Sequence, residues 1–81
     1  MHQQTQHQTI DNLHITIGRN VARLRKEAKL TQLALSLEMG NTSPSLLSAA
    51  EVYKNHRHFN IAQLHKIAQI LHVDICEFFK S

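Results

Sequence analysis

His56 and His58 lie close together and His72 and Cys76 lie four residues apart, and both are residue types that bind zinc or related ions. Asp74, between His72 and Cys76, reads as a helix cap, so the two need not share a helical face, and no paired-ligand motif accompanies either pair. No metal site is expected, and the His56 to His58 stretch reads instead as a loop that gains charge in acid. Ser43, Ser45 and Ser48 could serve as nucleophiles by type, but no His and Asp accompany them at a recognisable spacing. Gly18 and Gly40 are the only glycines and sit too far apart for a phosphate-cradling loop. The inventory argues against an enzyme, and no cofactor is expected.

The charges point elsewhere. The chain has 81 residues and a formal net charge of +3. No acid occurs between Val52 and Val73, a stretch holding Lys54, Arg57 and Lys66 with His56, His58, His65 and His72. Arg19, Arg23, Arg25, Lys26 and Lys29 add to the basic balance in the first half. Such a distribution suits either a solvated basic surface or a polyanion partner. The single cysteine, Cys76, excludes an internal disulfide and fits a reducing, cytoplasmic setting. No apolar run is long enough to cross a bilayer and no secretory signal opens the chain, so no membrane partner is expected.

The elements that position these residues follow from apolar spacing. Residues 1–9 are Gln, His and Thr almost throughout and are expected to form a disordered arm, leaving residues 10–81 as one small domain. Ile10, Leu13, Ile17, Val21, Leu24 and Ala28 recur at helical spacing. Thr31 caps a second helix that contains Leu35 and Met39 and ends at Gly40. Ser43 and Pro44 then start a third, with Leu46, Leu47 and Ala50 inward and Tyr53 extending that face. Asn60 caps a fourth, with Ile61, Leu64, Ile67, Ala68 and Leu71 inward, and Asp74 caps a short fifth containing Ile75, Phe78 and Phe79. The expected fold is all-α, with five helices and a mostly aliphatic core.

Two short helices meeting at a glycine turn form a helix-turn-helix. The stretches IGRNVARLRKEAKLTQLALSLEMG and FNIAQLHKIAQILHVDICEFF resemble the opening and closing parts of the lambda-repressor-like, Xre-type DNA-binding domain. The resemblance runs from about Ile15 to Phe79, and its most specific part is Leu30, Thr31 and Gln32 followed by Leu35 and Gly40. It implies that the third helix, from Pro44 to about Val52, enters the major groove of double-stranded DNA and that Gln32 binds a phosphate. It also implies an internal ion pair between Arg25 and Glu51. Glu51 lies eleven residues after Gly40, one more than the family's usual spacing, which implies an extra residue in the Asn41 to Pro44 turn. The family's glycine shortly after the glutamate is absent, leaving Asn55 to end the helix.

On that reading, direct base contact is thin, because Thr42 to Ala50 holds no Arg, Lys, Asn or Gln. Ser43, Ser45 and Ser48 offer one hydrogen bond each and Ala49 a methyl contact, with Thr42 and Pro44 in the turn beside them. Lys54, Asn55 and Arg57, with Gln32, are the expected phosphate contacts. Phe78 and Phe79 either both pack inward or divide, one plugging the core and the other binding a second copy; a homodimer is the expected outcome. The size resembles that of restriction-modification controllers and antitoxin-type autoregulators, which implies a small dimeric repressor. The alternative is an antitoxin-like module whose main partner is another protein, such as a toxin.

Overall fold

The computed structural model describes the backbone of residues 3–81 and the side chains of residues 9–81. Four α-helices follow one another: α1 (Gln3–Glu27), α2 (Gln32–Glu38), α3 (Ser45–Ala50) and α4 (Ile61–Leu71). Two short 3-10 helices, Lys54–His56 and Ile75–Phe79, complete the order, and no strand occurs among the described residues. The fold is all-helical as expected, but the last helix is a 3-10 turn rather than a fifth α-helix. Asp74 accepts from the Cys76 amide and Glu77 N–H donates to the Asp74 carbonyl, three residues back, so the chain closes with the tighter helical geometry.

Both ends of α2 and α4, and the end of α1, have local causes. Thr31 caps α2 by accepting from Ala34 N–H at 3.0 Å. Gly40, at φ 92°, ends it, with Gly40 N–H on the Leu37 carbonyl and Asn41 N–H on the Ser36 carbonyl. A Cβ at Gly40 would meet nothing within 4 Å, so conformation rather than space requires glycine there. The same closing pattern follows α1 at Lys29 and α4 at His72, both left-handed without being glycine. Asn60 and Gln63 form a reciprocal capping box at the start of α4.

The core gathers Ile17, Val21 and Leu24 of α1, Leu35 of α2, Leu47 and Ala50 of α3, four residues of α4, Phe59 and Phe78. Several expected core residues lie outside it. Ile10 and Leu13 are exposed because in that stretch it is Asp11 and His14, rather than the apolar residues, that meet the rest of the domain. Ile61 is 69% exposed, since it is the first residue of α4 and points past the core. The expected arm, residues 1–9, falls partly outside the described residues. Met1 and His2 lie outside the described residues, whereas the backbone from Gln3 onward is already α1. No glycine or proline interrupts that stretch, so the helix propagates through it.

Candidate nucleic-acid interface

The position of α3 is set at its C-terminal end by a buried charge cluster. Arg25 Nε donates to Glu51 Oε2 at 2.7 Å and Arg25 Nη2 to Glu51 Oε1 at 3.0 Å, with both side chains nearly closed to solvent. Such a two-pronged pair fixes direction as well as distance. Arg25 Nη1 also donates to the Leu30 carbonyl at 2.8 Å, holding the turn after α1. Gln32 Nε2 donates to Glu51 Oε1 at 2.8 Å, so Gln32 is half-buried rather than a free helix-start residue. One carboxylate therefore joins α1, α2 and the end of α3.

Gly18 makes that approach feasible. A Cβ on it would stand 2.7 Å from the carbonyl oxygens of Ala50 and Glu51, so only glycine lets α1 pass this close to the end of α3. Sequence reasoning missed this role, although glycine inside a helix costs about 1 kcal/mol against alanine and so marks a position with another demand on it. Asn20, also missed, donates from Nδ2 to the carbonyls of Phe78 and Lys80 at 2.9 and 2.6 Å and pins the chain's end to α1. Phe78 is fully buried there, whereas Phe79 is 39% exposed.

α3 differs from its expected bounds. Pro44, at φ −81° and ψ 3°, is the N-cap and not the first helical residue, and the helix stops at Ala50 with Glu51 as C-cap. Ser43 Oγ accepts from Ser45 N–H only at a long 3.4 Å. Tyr53, not Asn55 alone, turns the chain: Tyr53, Asn55 and His56 all have φ between 53° and 62°. Left-handed conformations cost non-glycine residues free energy, so this turn depends on contacts that hold it. One is the Tyr53 hydroxyl, which donates to Asp11 Oδ1 at 2.7 Å. That bond, and then partial burial, hold the Tyr53 phenol above its usual pKa.

Leu47 and Ala50 take the inward face of α3, leaving Ser45 and Ser48 outward and Ala49 half-buried. Ser45, Ser48, Ala49 and Val52 line one groove with Lys54, Asn55 and Arg57. Thr42 and Ser43 are exposed in the turn before it, and Pro44 is half-buried. Ser48 Oγ donates to the Ser45 carbonyl at 3.2 Å, which leaves it chiefly an acceptor toward a ligand. Ser43 Oγ donates to Ser45 Oγ at 3.1 Å, which leaves the Ser45 proton free. No acid lines this groove. Gln32, bound to Glu51, stands apart from it. Among the described residues no group of three His, Cys, Asp or Glu gathers as a metal site, and no helix is long and apolar enough to cross a membrane.

Two short helices, α2 and α3, joined by a turn that opens at Gly40, form a helix-turn-helix. The helix-turn-helix family model matches residues 21–78, and the chain belongs to that family, of the Xre or lambda-repressor-like type. The family is a DNA-binding one, typically without catalytic activity. No curated protein and no solved structure matches the chain significantly.

Proposed function

We propose that the protein is a sequence-specific DNA-binding transcriptional regulator, a small dimeric repressor or autoregulator that reads the major groove with α3. The observation that carries this is the acid-free groove joining Ser45, Ser48 and Ala49 to Lys54, Asn55 and Arg57. Small side chains let α3 sit deep, so Ser45 offers a proton to a base edge, Ser48 accepts one, and the cations meet phosphates. Thr42, Ser43 and Pro44 lie at the entry of the groove, and Gln32 reaches a phosphate with its second Nε2 hydrogen. Shape and deformability of the duplex then supply part of the discrimination. A cytoplasmic location accompanies this partner.

The dimer reading rests on Phe79, a large apolar side chain left exposed while its neighbour Phe78 fills the core. Phe79→Glu should give folded monomers by sedimentation, because a charge is not buried unpaired at an interface. An unmodified protein that stays monomeric at roughly tens of micromolar removes the dimer.

Selection of bound duplexes from a random pool, followed by titration of the winner against rising salt, tests the central claim. Affinity should fall steeply with salt. The rival, a module that covers another protein, draws support from Leu33 and Leu37, exposed one turn apart on α2. Absence of duplex binding at moderate salt would favour it.

A further inference from the structure

The residues that flank Lys54, Asn55 and Arg57 in sequence form a cluster of rings. The His14 ring of α1 stacks on His58 with centroids 4.0 Å apart and planes at 25°. His14 also lies 5.6 Å from the Tyr53 ring, and His56 meets Tyr53 edge-on at 5.4 Å. His58 Nδ1–H donates to the His56 carbonyl at 2.9 Å. Tyr53, His56 and His58 belong to the stretch with the left-handed residues, whereas His14 and Asp11 come from α1. These two α1 side chains thus brace a strained segment that also carries the groove's cations.

The brace suits neutral imidazoles. His14 Nδ1 is closed to solvent with no hydrogen-bond partner among the described residues. A neutral ring leaves there, at most, an unpaired acceptor; an imidazolium places an unpaired charged N–H donor in the same spot, against a second imidazole. We propose that the His14–His58 stack is a pH-sensitive latch: neutral, it holds residues 53–58 and so fixes Lys54 and Arg57; protonated, the rings part and the segment relaxes. The latch stands without the DNA reading, and only its consequence for recognition rests on that reading.

The direction is set by the groups that face His14. Burial, and next His58, lower its proton affinity, while Asp11 on its own helix pulls the other way. Tyr53 and His56 complete the titratable set from the opposing segment, which also carries Lys54 and Arg57, neither of them a cause of the His14 shift. A histidine whose folded pKa is depressed contributes its full stabilisation above its unfolded value, about 6.5, and loses it as pH falls through the folded value. The latch is therefore closed at neutral pH and opens in mild acid. Opening adds charge near phosphates but frees the side chains that set register, so binding becomes less selective.

Tyr53 is the only tyrosine and there is no tryptophan, so intrinsic emission reports this cluster directly. A phenol hydrogen-bonded to a carboxylate is quenched, so emission should stay level down to about pH 6.5 and rise as pH is lowered from there to about 4.5, on the acid side of an ordinary imidazole and above the range near 4 where an ordinary aspartate protonates. His14→Phe and His58→Phe keep a stackable ring without a titrating group, and each should flatten that rise. Emission of the unmodified protein that stays flat over this range overturns the latch, whether or not a variant folds. Variants that fold, judged by far-ultraviolet circular dichroism, and follow the unmodified curve overturn it too. With DNA, the preference for a selected duplex over a scrambled one should fall by roughly threefold or more at pH 5.5, the effect of about half a pKa unit, and His14→Phe should keep that preference. Emission needs no DNA, so a protein that binds no duplex overturns the regulator reading while leaving the latch to its own test.

Discussion

The end of α3 is tied to α1 at two places, and the ties are of opposite kinds. At Glu51 a carboxylate is buried but fully matched, by two Arg25 nitrogens and one from Gln32, over a glycine that removes all intervening bulk. At Tyr53 to His58 the contacts are half-exposed rings and one hydroxyl, holding a backbone that its own residue types disfavour. The first tie sets where the helix lies. The second sets only the side chains just beyond it, and it does so with groups that titrate. Orientation of the reading helix is thus separated from adjustment of the phosphate contacts, because a matched buried charge resists change and a stack of weak bases does not.

The sharpest way to break this contrast is at Glu51. Glu51→Gln leaves the Arg25 charge buried without its counter-ion, and thermal or urea unfolding should show a loss of about 3 kcal/mol. A variant that melts with the parent would make the buried tie no stronger than a surface pair. Gly18→Ala comes next. Alanine improves helix propensity by about 1 kcal/mol, but forcing a methyl against two backbone carbonyls costs about 2 to 3 kcal/mol, so net destabilisation of about 1 to 2 kcal/mol is expected. A stabilised Gly18→Ala protein would show that α1 can back away freely.

The second tie should yield smaller effects. Arg57→Ala should leave stability nearly unchanged and weaken binding alike across operator variants, flattening the salt dependence by about one unit of slope. A loss confined to one base pair would move Arg57 from the phosphates to a base edge. Ser45→Ala should cost about 1 kcal/mol of binding and alter preference at one position, as loss of a single donor does. Tyr53→Phe removes one half-buried hydrogen bond and should lower the melting midpoint by about 2 to 8 °C, since such a bond contributes about 0.5 to 1 kcal/mol net. A larger shift would place the turn's strain, rather than the buried ion pair, at the centre of the fold.

Much of this architecture is legible in the residue order, because it depends on local rules. Thr31, Asn60 and Asp74 cap helices through oxygens that reach amides two or three residues on, and Gly40 supplies the one left-handed turn that glycine signals. The apolar spacing around Val21, Leu35, Leu64 and Ile67 marks the core for the same reason, since a helix repeats its face every three or four residues. What the order of residues leaves open is anything that depends on which helices meet. The left-handed turns at Lys29 and Tyr53 fall on residues with no preference for them, and Gly18 gains its role only when the end of α3 crosses it. His14 and His58, forty-four residues apart, become a stack only because the turn after α3 folds back onto α1. Side-chain type and spacing determine where helices start and what face they bury; distance between helices, which decides partners and burial, exists only once the core has packed.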